Sequence, residues 1–260
     1  MSDFDISKYL TTEYIGRNVV HIKSTDSTNS LAKRELNSEN GTVFIADCQT
    51  AGRGRNGKSW ISKNEEGLWF SILLKPDKKV KELANLTLVV GLAVVKAINK
   101  LCNVNAMIKW PNDIILDDRK LCGVLCESVV NNGHCECIVC GIGINILTTC
   151  FDEEISKIAT SLKISTKSEY SREEICAIIL NEFEVLYIDY LENGLKNSIS
   201  EYCKNCITIG KEISLVTNKE NKKALAIDVN NDGELIVVSD GETITVSSGE
   251  VSVRGLMGYV

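Results

Sequence analysis

Apolar residues in the first 150 positions either alternate with polar residues or form short unbroken runs. Both patterns are typical of β-strands. Such segments lie at residues 17–23, 42–46, 68–74, 106–110, 114–116, 121–130 and 134–146. The turn signals Asp117-Asp118-Arg119 and Asn131-Asn132-Gly133 separate the last three segments. The pattern therefore predicts a sheet whose last strands are joined by tight turns.

Three segments carry helix signals instead. Asp26-Ser27-Thr28-Asn29 is a cluster of helix-capping residues and precedes the segment 31–36. Residues 80–101 are apolar and free of proline, which predicts a buried helix. Its most apolar part, 86–95, has only about half of the roughly 20 residues that a membrane-spanning helix needs. A third helix is predicted over 171–192, which begins with a serine followed closely by two glutamates.

The pattern changes after Cys206. Residues 207–260 form short alternating runs interrupted by Asn231-Asp232-Gly233 and Asp240-Gly241, which are strong hairpin signals. The sequence therefore predicts two domains, a larger one over 1–206 and a small β-barrel over 207–260.

Composition narrows the functional classes. The 260 residues include 29 Lys and Arg against 35 Asp and Glu, a formal net charge of −6. This balance lacks the basic excess that non-specific binding to nucleic acid requires. The first five residues lack the basic and apolar regions of a signal peptide.

Eleven cysteines invite either a disulfide scaffold or a zinc site. A disulfide scaffold belongs to shorter secreted chains, and structural zinc usually needs paired C-x-x-C motifs. The pattern therefore predicts reduced, buried thiols in a cytoplasmic protein that neither crosses a membrane nor carries a metal site.

Residues 52–59 read Gly-Arg-Gly-Arg-Asn-Gly-Lys-Ser, which matches both a phosphate loop and a dinucleotide fingerprint. Both motifs require a helix immediately afterwards, whereas residues 60–67 predict a loop and then a strand. Neither motif therefore applies. What remains is a glycine-rich loop with three cations, which either clamps an anion or is a solvated basic surface.

Two further clusters carry polar residues at strand ends. Pro111 interrupts a strand and leaves Asn112 and Asp113 at its end, followed by Lys120 and Gly123 in the next strand. Residues 141–145 place two glycines in an apolar strand, which indicates close approach of another group to the backbone. The alternative for the first cluster is an exposed hairpin that carries a lysine, and the second cluster is a weak signal by itself.

Taken together, these segments resemble biotin–protein ligases. The stretches that carry the resemblance are Asp26–Asn29, Gln49–Gly57, Lys109–Asp113, Asp118–Gly123, Gly141–Asn145 and Val253–Gly255. Their order and spacing match the family over nearly the whole chain. The resemblance implies an α+β fold, in which a mixed β-sheet with flanking helices, like a class II aminoacyl-tRNA synthetase core, precedes a Src-homology-3-like barrel.

The resemblance also implies an activity. Members of the family activate biotin with ATP and Mg²⁺ to biotinyl-5′-adenylate and transfer biotin to a lysine of a biotin carboxyl carrier protein or domain. The implied biotin-binding residues are Ser27, Thr28, Asn29, Gln49, Arg53, Gly54, Arg55, Lys120 and Gly123. The implied nucleotide-binding residues are Arg55, Trp60, Lys109, Asn112, Asn145 and Arg254. The implied catalytic residues are Lys120, Arg53 and Arg55. The second step also needs a group that helps the carrier lysine to lose a proton, and Asp113 is the nearest candidate for this catalytic role.

Two features bear on the type of member. Asn56 stands where some members carry a basic residue. The catalytic motifs start at Ser24, and the 23 residues before it are too few for the DNA-binding domain of bifunctional members. We therefore expect a monofunctional ligase that does not bind DNA. A homodimer is compatible with the resemblance. The alternatives are lipoate or octanoate transfer on the same core, and a sensor that binds biotin or its adenylate without transferring it.

Overall fold

The computed structural model describes residues 4–62, 66–132, 134–216 and 221–248, together with the backbone of 252–255. A seven-stranded sheet has the spatial order β1-β2-β3-β7-β6-β5-β4. Its strands are β1 (Val19–Thr25), β2 (Val43–Gln49), β3 (Gly67–Leu74), β4 (Met107–Lys109), β5 (Asp113–Leu116), β6 (Arg119–Asn131) and β7 (His134–Asn145). β1 and β2 are parallel and the other neighbours are antiparallel, so the sheet is mixed as predicted.

Six α-helices lie among the described residues. They are α1 (Thr28–Arg34), α2 (Leu86–Cys102), α3 (Glu153–Ser156), α4 (Leu162–Thr166), α5 (Arg172–Asn193) and α6 (Ile199–Lys204). A 3-10 turn over Val80–Leu83 precedes α2, so the helix predicted over 80–101 starts later than expected. At α5 the predicted start is confirmed, because the Ser171 hydroxyl accepts a hydrogen bond from the Glu174 backbone N–H at 3.2 Å.

Successive side chains along each strand point to opposite faces of the first sheet, so the core is divided between the two faces. Phe44, Leu73 and Val139 join a small cluster with Ala32 of α1. Their chain neighbours pack into the main core, which includes α2 and α5. The segment Val80–Cys102 is long and apolar enough to span a membrane, but 67% of its most apolar window is buried inside the protein. The segment therefore belongs to the core of the protein.

A second, five-stranded antiparallel sheet has the order β11-β10-β9-β8-β12. It consists of β8 (Glu212–Val216), β9 (Asn221–Val229), β10 (Leu235–Ser239), β11 (Glu242–Val246) and β12 (Ser252–Gly255). Both predicted hairpin turns lie where expected, one between β9 and β10 and the other between β10 and β11. The predicted boundary near residue 206 falls between α6 and β8.

Trp110 joins the two sheets. Its side chain is 2% exposed, and its indole N–H donates to the Gly233 carbonyl at 3.1 Å, in the turn between β9 and β10. Its backbone N–H donates to the Thr208 hydroxyl at 3.0 Å. The turn between β9 and β10 therefore helps to bury a residue that directly follows β4.

Candidate active site

The glycine-arginine segment is a short hairpin, which we name the arm (residues 52–60). The Trp60 N–H donates to the Gly52 carbonyl at 2.8 Å, and the Gly54 N–H donates to the Lys58 carbonyl at 2.7 Å. At the tip, Asn56 and Gly57 have φ values of 55° and 72°. Asparagine and glycine tolerate this left-handed backbone, and Asn-Gly is a hairpin signal that the sequence interpretation overlooked. The described residues after the arm are loop and strand rather than helix, which confirms that neither phosphate motif applies.

An inner cavity of about 460 Å³ lies between the arm, α1 and strands β6 and β7. The cavity brings together all nine residues that the sequence predicted for biotin. Those predicted residues are Ser27, Thr28, Asn29, Gln49, Arg53, Gly54, Arg55, Lys120 and Gly123.

Polar side chains at the start of α1 are fixed by hydrogen bonds. Gln49 accepts from the Thr28 N–H at 2.8 Å through Oε1 and donates to the Ser62 hydroxyl at 2.7 Å through Nε2. The Ser71 hydroxyl lies 2.6 Å from Asn29 Oδ1 and 2.7 Å from Thr28 Oγ1. Ser71 was not predicted from the sequence, because a serine inside an apolar strand carries no motif. These contacts preorganise one wall of the cavity.

Glu127 of β6 was also missed. Its Oε2 accepts from Asn29 Nδ2 at 2.8 Å, while its Oε1 lies 2.8 Å from Lys33 Nζ and 3.1 Å from Arg53 Nη2. Burial raises the pKa of this carboxyl, but the Lys33 and Asn29 hydrogen bonds and the two positive charges outweigh burial and lower it. Glu127 is therefore ionised at neutral pH and ties the arm to α1.

Lys120 points toward the inner cavity because β6 contains a bulge. Ile114 pairs with Cys122, but the next residue, Ile115, pairs with Lys120, so Leu121 is an extra residue in the ladder. The bulge places Lys120 on the same face of the sheet as Gly123, three positions along the strand. Without the bulge, the period of two would direct the Lys120 side chain to the face opposite the one on which a Cβ of Gly123 would lie.

Asp113 and Asn112 contact the cations Lys120 and Arg55, respectively, beside the inner cavity. Asp113 Oδ1 lies 2.7 Å from Lys120 Nζ and accepts a hydrogen bond from Asn112 Nδ2 at 3.1 Å. The Arg55 guanidinium donates to Asn112 Oδ1 at 3.1 Å and to the carbonyl of Ser248, which lies in the turn after β11. Burial lowers the pKa of Arg55, although the nearby Asp113 charge opposes the shift.

An outer cavity of about 1,070 Å³ adjoins the inner one. Trp60 and Lys120 line both cavities, and Asn145 lines only the outer one. Lys58, the third cation of the segment, also faces the outer cavity. The three cations thus diverge, Arg53 toward Glu127 and Arg55 toward Asn112.

Not every predicted nucleotide-binding residue lines a cavity. Asn112 lines the inner cavity. Lys109 is buried in β4 and is not among the residues that line either cavity. The side chain of Arg254 lies outside the described residues.

The close neighbours of the strand glycines are protein side chains. A Cβ on Gly143 would lie 2.8 Å from the Trp60 ring, and one on Gly123 would lie 2.9 Å from it. A Cβ on Gly141 would lie 2.1 Å from Asn29 Oδ1. The sequence predicted close approach at these positions, and the structure identifies Trp60 and Asn29 as the approaching groups.

All 11 cysteines are free thiols. Within the part of the chain that the structure describes, no three His, Cys, Asp or Glu side chains are grouped as a metal site.

Residues 21–145 match the Biotin/lipoate A/B protein ligase family, and residues 208–254 match the Biotin protein ligase C terminal domain. The Bifunctional ligase/repressor BirA of Bacillus spizizenii is 31% identical over 241 residues, covering 91% of this chain and 74% of that protein. The chain belongs to the biotin protein ligase family.

Other biotin protein ligases agree with this assignment. A Biotin–[acetyl-CoA-carboxylase] ligase of Mycobacterium tuberculosis is 30% identical over 222 residues, covering 82% of this chain and 80% of its own. The solved structure of a biotin protein ligase from Aquifex aeolicus in complex with biotin and ATP superposes with a TM-score of 0.82 at 30% identity. That superposition covers 92% of this chain and 99% of the other.

Proposed function

We propose that the inner cavity of this biotin protein ligase binds biotin and that the outer cavity binds the nucleotide. The observation that carries the assignment is that Lys120 and Trp60 line both cavities. A reaction that joins two substrates needs such a common wall, where the reacting groups meet. Lys120 supplies a cation there, and Trp60 supplies an apolar surface.

The chain activates biotin with ATP and transfers it to a carrier lysine. In the first step a biotin carboxylate oxygen attacks the α-phosphorus of ATP, the bond to the β-phosphate breaks, and pyrophosphate leaves. Bringing two anions together costs Coulomb energy, which Lys120, Arg53 and Arg55 offset. The carboxylate is itself the nucleophile, so the chain does not need to supply one.

In the second step the amine of the carrier lysine attacks the biotinyl carbonyl. A C–N bond forms, AMP leaves, and the amine loses a proton. Asp113 positions Lys120 through its contact at 2.7 Å. Its role as the acceptor of the amine proton stays a prediction.

Biotin transfer is favoured over lipoate transfer by the match of residues 208–254 to the biotin protein ligase C-terminal domain. The partner is the carrier protein or domain of a biotin-dependent carboxylase, and MgATP is the nucleotide substrate. The free thiols support a reducing, cytoplasmic location.

The test is to incubate the protein with biotin, MgATP and a biotin carrier domain, and to follow the carrier by mass spectrometry. We expect the carrier to gain one biotinyl group. In the absence of carrier, the protein should retain biotinyl-adenylate. Pyrophosphate release that depends on lipoate or octanoate instead of biotin would overturn the proposal.

A further inference from the structure

Glu127 connects three parts of the site without lining the cavity. It lies on β6, accepts a hydrogen bond from Asn29 of α1, and forms ion pairs with Lys33 of α1 and Arg53 of the arm. Asn29 Nδ2 also donates to the carbonyl of Leu125, two residues earlier on the same strand, at 3.1 Å. Glu127 therefore acts on a ligand only through the groups that it holds.

A carboxylate beside a site for two anions would oppose substrate binding unless it were neutralised. Lys33 supplies that neutralisation, since it pairs with the same Oε1 atom as Arg53. The group of Lys33, Glu127 and Arg53 keeps a net charge of +1. One positive charge thus remains beside the cavity after the ion pairs are formed.

Arg53 needs such a partner. Its side chain is 48% exposed, and it belongs to a narrow hairpin, so without Glu127 it would be free to turn into solvent. An arginine held in place before the ligand arrives loses less conformational entropy on binding. Glu127 provides this restraint from a strand in the middle of the sheet.

We propose that Glu127 is a positioning residue for biotin activation, which holds Arg53 and Asn29 where they receive biotin. The proposal rests on the function proposed above. It assigns a role to a residue that touches neither substrate, and it makes Lys33 the counter-charge that keeps Arg53 available to an anion.

The test is the variant Glu127→Gln, alone and combined with Arg53→Ala. Glutamine keeps the size of the side chain and an oxygen for Asn29, but it removes the charge that holds Arg53. We expect the KM for biotin to rise about tenfold and the KM for MgATP to change less than twofold. In the Arg53→Ala background, Glu127→Gln should change the KM for biotin less than twofold further.

Two more variants complete the experiment. Lys33→Met should raise the KM for biotin several-fold, because Glu127 then neutralises Arg53 alone. Glu201→Gln is the matched control, since Glu201 pairs with Lys96 at 3.1 Å on helices away from the arm. It should leave both KM values unchanged.

Several outcomes would overturn the proposal. One is that Glu127→Gln raises the KM for biotin equally in the wild-type and Arg53→Ala backgrounds. Another is that Glu127→Gln lowers the melting temperature but leaves both KM values unchanged. A lower KM for biotin in Glu127→Gln would show that Glu127 repels the substrate. An unaltered KM for biotin in Lys33→Met would show that Lys33 is not the counter-charge. Failure of the proposed function differs from all of these, because the wild-type protein would then form no biotinyl-adenylate.

Discussion

Lys120 Nζ lies 2.7 Å from Asp113 Oδ1, on the wall that the two cavities share. The two residues belong to adjacent strands, and the bulge at Leu121 puts their side chains on one face. The carboxylate fixes a long, flexible cation at the point where the biotin carboxylate and the α-phosphate would meet. If the proposed function holds, the pair would place a cation ready for the charge that develops in the transition state.

Lys120→Ala should slow adenylate formation by a factor of about 100 to 1,000, equivalent to about 3 kcal/mol, as for loss of one donor to a developing charge. Stability should hardly change, because the amine borders a cavity and Asn112 still donates to Asp113. Biotin-dependent pyrophosphate exchange measures the rate, and thermal melting measures stability. Lys163→Ala, which breaks the ion pair with the exposed Glu169, is the control. A wild-type rate in Lys120→Ala would show that this residue does not contact the reacting groups.

Arg55→Gly should release biotinyl-adenylate faster. The change removes the hydrogen bonds to Asn112 and to the Ser248 carbonyl, and glycine loosens the arm. A hydrogen bond from a charged group contributes roughly 1.5–3 kcal/mol, so we expect an off-rate at least about tenfold higher. The measurement is dissociation of pre-formed adenylate, together with labelling of an unrelated lysine-rich protein. Unchanged retention and unchanged labelling would identify the arm as an ordinary solvated basic surface.

Gly141→Ala should weaken biotin binding. A Cβ there would lie 2.1 Å from Asn29 Oδ1, so Asn29 must move and lose its contacts with Leu125 and Glu127. We expect the KM for biotin to rise at least about tenfold, or about 1.4 kcal/mol. In the control, Gly91→Ala, the new Cβ meets only Ile114 at 3.9 Å, and the variant should be as active as wild type. Equal KM values in the two variants would contradict the placement of Asn29 at the biotin site.

MgATP should protect Cys150 from alkylation. This thiol is exposed and lines the outer cavity. Iodoacetamide should modify it faster than Cys203, which is half-buried and whose pKa is raised to about 11 by burial, so that little thiolate forms at neutral pH. Peptide mass spectrometry with and without MgATP follows both sites. If the nucleotide slowed neither reaction, the outer cavity would not be its site.

The sequence predicted the strands, the long helices and most residues of the inner cavity, because hydrophobic period and turn chemistry are local properties. It could not predict which face of β6 carries Lys120, since one extra residue, Leu121, reverses the alternation. Nor could it find Glu127 or Ser71. Both act through contacts with residues at least 42 positions away in the chain, and a lone Glu or Ser in a strand gives no signal.

The glycines illustrate the same limit. Their spacing correctly indicated close approach to β6 and β7, but the approaching groups come from other segments. Trp60 lies against Gly123 and Gly143, and Asn29 against Gly141. Identifying those neighbours requires the folded arrangement of the arm and α1.

The burial of Trp110 has a consequence for how the protein folds. Its indole is enclosed only when the turn that contains Gly233 lies over it, and Ile108 beside it pairs through its backbone with residues 205 and 207. Opening either sheet would expose this large apolar side chain and leave a polar N–H without its carbonyl. We therefore expect that opening one sheet destabilises the other, so that the two sheets melt together.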